Sequence, residues 1–350
     1  MTRITSDPRA FPTKGASVKY FRTGVAVVAT LGAFAASAGT AQAWTSPIPR
    51  VLKYGAIGQD NSFPAALTTS IANPTKSPAG ANDWSCKPST KHPYPVVLVH
   101  GTWENAYDNW NGLSPMIKAE GYCVYALNYG NTTGIAFLNG TGDMIESANQ
   151  IAPFVDQVLA QTGAAKVDLI GHSQGGSLIR YYANKIGGAA KVDQVIGLAP
   201  SNHPSTLSGI TEFGKTIGLF TPAMNLLDAI KMPAAVQQAD QSPNPQAPFY
   251  QQVNGAAGET IPGIRYTNIL TKNDEVVTPY TQGAITAGPG ASVDNITIQN
   301  VCSNDGSEHI SLPYSKNVAQ IVLNKLDPSD QHAIFCYNQT AIFGNTQLIG

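Results

Sequence analysis

Short apolar runs and stretches with apolar residues at helical spacing take turns along most of this chain. Val96–His100 is a continuous apolar run between Pro95 and Gly101, as expected of a strand buried on both faces. A helix near Trp110–Glu120 follows, closed by Gly121, and then a strand over Cys123–Asn128. Ile151, Phe154, Val155, Val158 and Leu159 fall on one face of a helix predicted over Met144–Gln161, with Gly163 ending it. The order continues with strand Val167–Gly171, helix Gly175–Ile186, and strands Val192–Leu198, Arg265–Leu270 and Ile296–Val301. A helix over Ser315–Lys325 closes it. This alternation predicts an α/β protein with a mostly parallel central sheet flanked by helices.

Two regions break the rhythm. Residues 44–91, rich in Pro, Ala, Ser and Asn, read as an irregular surface arm. Residues 202–248 are far too long for an ordinary strand-to-strand connection. Ile210, Phe213, Ile217, Leu219, Phe220, Met224, Leu226, Leu227 and Ile230 make this segment apolar, and a Pro/Gln/Asn-rich tail follows. One reading is a crossover helix pair packed on the sheet; the favoured one is a lid or cap lining a substrate pocket.

The N-terminus carries its own signal. Arg3, Arg9, Lys14, Lys19 and Arg22 precede the apolar run Val25–Ala36, and Ala41-Gln42-Ala43 supplies small residues before Trp44. That is the layout of a cleaved secretion signal over 1–43, and the run is too short for a membrane span. The domain organisation expected is signal, arm, and a catalytic domain over 92–350. Net charge is −1, and five basic residues against one acidic lie in the leader. Nucleic acid is therefore excluded as a natural partner. Secretion makes disulfides the expected state of the four cysteines. Cys86 precedes one predicted strand and Cys123 begins its neighbour, while Cys302 and Cys336 are both C-terminal. The expected pairs are Cys86–Cys123 and Cys302–Cys336. Asn131, Asn139, Asn295 and Asn338 stand in glycosylation sequons that matter only in a glycosylating pathway.

The chemistry begins at Gly171-His172-Ser173-Gln174-Gly175, a Gly-x-Ser-x-Gly sequence between a predicted strand and helix. Such a turn holds a serine on strained backbone with its hydroxyl exposed as a nucleophile. A serine needs a base, and the base needs an acid, in the chain order Ser, acid, His for sheets of this kind. Only His309 and His332 come late enough in the sequence. His309 lies in a polar loop after a strand, whereas His332 reads as a surface or packing residue. The loop leaving Arg265–Leu270 offers Asp274 and Glu275, and the shorter Asp274 suits a fixed hydrogen-bonded role. Oxyanion donors are expected from the backbone N–H of Gln174 and from Thr102, by its N–H and with its hydroxyl as a further candidate.

Several stretches together resemble the secreted class 2 lipases and esterases of the α/β-hydrolase superfamily. They are Pro95–Thr102, Gly171–Gly176, Asn273–Pro279, Glu308–Ile310, Trp84–Cys86 and Gly121–Gly130. The likeness implies an α/β-hydrolase fold with a lid insertion, and carboxylic-ester hydrolysis by Ser173, Asp274 and His309 with Thr102 and Gln174 as oxyanion donors. It also supports the cysteine pairing. The substrate implied is a lipid-like or other apolar ester, met by a monomer through transient contact of the lid with a lipid interface. No cofactor or metal motif is present in the sequence. The rival readings are an extracellular acyltransferase using the same triad and a non-catalytic binding protein on the same fold.

Overall fold

A computed structural model of the chain describes residues 46–53, 60–206, 225, 231–239, 248–255 and 258–342. The predicted leader and most of the predicted lid lie outside these residues. Six parallel strands form the central sheet: β2 (Val96–Val99), β3 (Val124–Leu127), β4 (Val167–His172), β5 (Val192–Leu198), β6 (Arg265–Leu270) and β7 (Ser292–Thr297). Their spatial order is β3-β2-β4-β5-β6-β7. The chain first winds outward from β2 to β3 and then crosses back to lay β4 on the other side of β2. Loops after β2 and β4 therefore diverge at a topological switch point, where open α/β sheets place their sites.

Burial explains why the central strands were easy to recognise. Every residue of β2, β3 and β4 is buried, because helices cover both faces. One face packs Val97, Val99, Tyr125 and Leu169 against α4 (Met144–Thr162) and α5 (Gln174–Lys185). The other packs Val96, Leu98, Ile170 and Ile196 against α9 (Lys316–Leu326) and its neighbours. The predicted face of α4 is the observed one: Ile151, Val155 and Val158 are buried. Asp143 caps this helix through the N–H groups of Ile145 and Glu146, and Gly163 ends it at φ 75°.

Three expectations need correction. The helix predicted over Trp110–Glu120 is two short helices, α2 (Ala106–Trp110) and α3 (Leu113–Ala119). Asn105 and Asp108 form a capping box that starts the first one early, and Asn111-Gly112 interrupts the turn sequence. The last strand is shifted: β7 spans Ser292–Thr297, and Ile298–Val301 is a short helix, α8. As an edge strand β7 is half exposed, so its own residues are mixed, and the apolar run seen in sequence straddles its end. The arm is not irregular throughout. It holds β1 (Ser46–Pro49), which pairs in parallel with β8 (His332–Ala333), and α1 (Phe63–Ala72). That helix docks through the buried Ala66 and a 2.9 Å bond from the Ser70 hydroxyl to Asp108. His332 belongs to this seam, its Nδ1 3.1 Å from the Ile48 carbonyl.

Of the predicted lid segment, the described residues include one helix, α6 (Pro233–Gln238), and a second helix, α7 (Pro248–Val253), begins at its end. Arg180 of α5, fully buried, binds the side chain and carbonyl of Asn202, the Asn254 side chain, and the carbonyls of Val253 and Glu259. One cation thus clamps the chain on both sides of the insertion. No helix among the described residues is long and apolar enough to cross a membrane.

Both disulfides join the expected pairs, Cys86–Cys123 and Cys302–Cys336. The second spans 34 residues and ties α8 to the C-terminal tail beside the His309 loop. Replacing Cys302 and Cys336 by alanine should lower stability by about 2–4 kcal/mol. Denaturant midpoints of the oxidised wild type and the double variant, with equal m-values, check this.

Candidate active site

Ser173 follows β4 at φ 54° and ψ −123°, a conformation that L-residues rarely adopt. Three contacts hold it there. Its N–H donates to Leu198 O at 2.9 Å, and its carbonyl accepts from Gly176 and Ser201, each at 3.1 Å. The flanking glycines are steric necessities. A Cβ on Gly171 would lie 2.4 Å from the Gly175 carbonyl carbon, and one on Gly175 would lie 2.1 Å from Val99 O. Strand, turn and helix touch backbone to backbone, and only glycine allows that.

His309 lies in the loop between α8 and α9. Its Nδ1 is 3.0 and 3.1 Å from the two carboxylate oxygens of Asp274, and both residues are buried. Asp274 Oδ1 also accepts the N–H groups of Val276 (2.9 Å) and Val277 (2.7 Å), which fixes the carboxylate in the loop after β6. Burial alone would lower the His309 pKa, but the charge and hydrogen bond of Asp274 outweigh it, and Glu104 and Glu275 add to the raising. The net direction is upward. His309 also lies against the residue preceding Ser173: the His172 and His309 ring centroids are 4.9 Å apart.

The loops of Asp274 and His309 are joined to each other. Thr271 Oγ1 donates to Ser307 O at 2.6 Å, and buried Asp305 takes Ser307 N–H, the Ser315 hydroxyl and the Asn317 amide, each at 2.8 Å. Glu275 is a neighbour of this arrangement. Its carboxyl shares a hydrogen bond with Glu308, and desolvation together with that second carboxyl pushes Glu275 up to about 7. Glu308, which accepts the Ile310 and Ser311 N–H groups, holds its charge below the usual range despite burial.

Gln174 opens α5, so its N–H has no intrahelical partner. Its side chain is occupied elsewhere, accepting from Tyr129 OH at 2.9 Å. Among the described residues no group takes the Thr102 N–H. The Thr102 hydroxyl oxygen accepts from Gln238 Nε2 at 2.8 Å, and that amide also donates to Ala234 O at 3.0 Å. Gln238 therefore points its NH₂ at Thr102, and the threonine proton remains available to donate. Gln238, Glu104, His172 and Asn109 were not singled out from the sequence. Each is buried and polar; His172 stands inside the Gly171–Gly175 motif without an assigned role, and Gln238, Glu104 and Asn109 are brought in by tertiary packing with no motif to mark them.

A family model described as lipase (class 2) matches residues 93–321. The chain belongs to the class 2 lipase family. Its matches include a triacylglycerol lipase of Pseudarthrobacter phenanthrenivorans, 42% identical over 95 residues, or 26% of this chain and 28% of that one. A triacylglycerol lipase of Vibrio cholerae is 34% identical over 134 residues, 33% of this chain and 40% of its own. The chain thus spans well under half the length of these relatives. Among solved structures, Aspergillus fumigatus lipase B aligns with TM-score 0.50 at 17% identity, covering 78% of this chain and 62% of that one. That likeness concerns the α/β-hydrolase fold.

A reaction that used His309 as its base should rise with pH through a titration lying above the ordinary histidine value of about 6.5, because the neutral imidazole is the form that accepts a proton. Asp274→Asn should keep its oxygen on the Val276 and Val277 N–H groups and turn its NH₂ toward His309 Nδ1. The wrong tautomer then lowers kcat by about 10³–10⁴-fold, and loss of the charge moves the acidic limb to lower pH. A pH–rate profile of both proteins checks each part.

Proposed function

We propose that the chain is a secreted serine carboxylic-ester hydrolase acting on lipid-like or other apolar esters. The observation that carries this reading is the buried Asp274–His309 pair, whose imidazole lies 4.9 Å from the ring of His172, the residue before a serine held on left-handed backbone. Asp274 fixes the proton of His309 on Nδ1, which leaves Nε2 to receive the Ser173 proton as the oxygen attacks the ester carbonyl. The negative charge that develops on the carbonyl oxygen meets the N–H groups of Thr102 and Gln174. Collapse of the tetrahedral intermediate expels the alcohol, protonated by His309, and leaves an acyl-enzyme on Ser173. Water, deprotonated by His309, then attacks the acyl carbon, and the acid departs.

Apolar substrates fit the surroundings. Trp103 is 47% exposed and Ile135 45%, and their loops are joined by a 2.9 Å bond from Trp103 N–H to Asn139 O. Large exposed apolar side chains beside the oxyanion turn offer an acyl chain or a lipid surface something to touch. Secretion is supported by the leader sequence and is compatible with the two disulfides.

The test is hydrolysis of p-nitrophenyl butyrate, octanoate and palmitate and of an emulsified triacylglycerol, by wild type and Ser173→Ala. Turnover of the medium or long esters is expected, with kcat at least about 10³-fold lower in the variant. Near-normal turnover by Ser173→Ala would remove the serine from its role. Activity confined to the butyrate would overturn the lipid preference.

A further inference from the structure

Gly101 follows β2 and immediately precedes Thr102, and no side chain has room there. A Cβ would lie 2.2 Å from Glu104 Oε2, 3.1 Å from the Ser173 Cβ and 3.3 Å from His172 Nδ1. The space behind the oxyanion turn is filled by a carboxyl group and an imidazole, both buried. Neither takes part in the acyl transfer as written above.

The hydrogen bonds around the pair leave little freedom. The His309 carbonyl can only accept, so His172 Nε2, 2.9 Å away, carries a proton and donates it. The Gly101 N–H is shared between Glu104 Oε2 and Asn109 Oδ1, each at 3.0 Å. With its oxygen engaged, Asn109 turns Nδ2 to His172 Nδ1 at 2.9 Å. Glu104 Oε2 lies 3.1 Å from the same Nδ1, so this ring nitrogen faces both the carboxyl and the Asn109 amide. The other oxygen, Glu104 Oε1, is buried and has no hydrogen-bond partner among the described residues. A half-satisfied buried carboxyl is costly, so its presence asks for a role that packing alone does not provide.

We propose that Glu104 is a positioning residue that, through His172, holds His309 and the oxyanion turn in one register around Ser173. This inference rests on the acyl-transfer reading. On one side the carboxyl binds the oxyanion turn at Gly101; on the other it reaches the backbone of the base through the imidazole. His172 also directly precedes the nucleophile. Three separate loops, after β2, β4 and α8, are thereby referred to a single buried pair. Acyl transfer is sensitive to displacements of an ångström or less, which makes such a common reference useful.

Two variants test it. Glu104→Gln keeps the volume, but an NH₂ in the place of Oε2 cannot accept from the Gly101 N–H. Glu104→Leu removes both contacts, while Asn109 retains the Gly101 N–H and protects the fold. Stopped-flow bursts with a p-nitrophenyl ester give the acylation rate and the number of competent sites. The low-field proton resonance of the His309–Asp274 bond reports the base directly. Acylation should slow about 10-fold in the Gln variant and up to about 100-fold in the Leu variant. KM should stay within about twofold and burst amplitude should be unchanged, while the resonance shifts or broadens. His172→Phe, which cuts the link from its other end, should behave like the Leu variant.

Wild-type acylation with an unmoved resonance in both Glu104 variants would overturn the proposal. A slower turnover explained wholly by lost burst amplitude would mark a folding defect and overturn it too. Wild type showing no burst would instead sink the acyl-enzyme reading, and the resonance comparison would still decide the positioning role.

Discussion

The tightest constraint in the molecule is the backbone contact where β4 turns through Ser173 into α5. Gly175 lies so close to the Val99 carbonyl of β2 that a single methyl group would overlap it. That contact sets how near the helix start approaches the sheet, and with it the direction of the Gln174 N–H. It also requires the left-handed Ser173, because no extended or helical residue could make so abrupt a turn. Two parallel neighbours, β2 and β5, grip β4 and supply the rigidity that the strain needs. The sheet order then matters chemically. Placing β4 beside β2 brings the Gly101–Thr102 turn next to Ser173, and β6 and β7 extend the same edge toward the acid and base loops.

Acid and base are held by a different device. Their loops are long, so they are fixed by buried polar contacts: Thr271 to Ser307, Asp305 to three partners, and Asp274 to two backbone N–H groups. Buried hydrogen bonds of this kind are directional, and each missing partner is expensive. The histidine loop therefore has few alternative arrangements. The Glu104–His172 pair carries the same logic to the oxyanion turn, so that rigid sheet and polar loops meet at Ser173.

How much of this was legible in the sequence follows from which forces are local. β2, β4 and β5 were readable because strands buried on both faces are mostly apolar, and only Asp168, His172, Asp193 and Gln194 interrupt these three. The Ser173 turn was readable because the glycines it requires fall within five consecutive residues, even though what Gly175 must avoid is the Val99 carbonyl of β2. Asp274 and His309 were legible from chain order and from the loops leaving strands, which is where the structure brings them into contact. Elements decided by distant partners were not readable. The Ser-Pro-Ile-Pro strand at β1 exists only because the C-terminal tail lies beside it, and α1 is fixed by its contacts with α2. The edge strand β7 was misplaced because half exposure removes the apolar signature. Glu104 and Gln238 carry no spacing rule at all, and the motif position of His172 says nothing of its partners, since what engages all three is a hydrogen bond across the fold.

The account turns on Ser173 being activated by its surroundings rather than merely placed in a turn. The most direct measurement is labelling with an alkyl fluorophosphonate followed by peptide mass spectrometry, at pH 8 and at pH 5. One adduct is expected, on Ser173, forming rapidly at the higher pH and slowly where His309 is protonated. Labelling elsewhere, or labelling of Ser173 at a rate indifferent to both pH and the Asp274→Asn change, would contradict it.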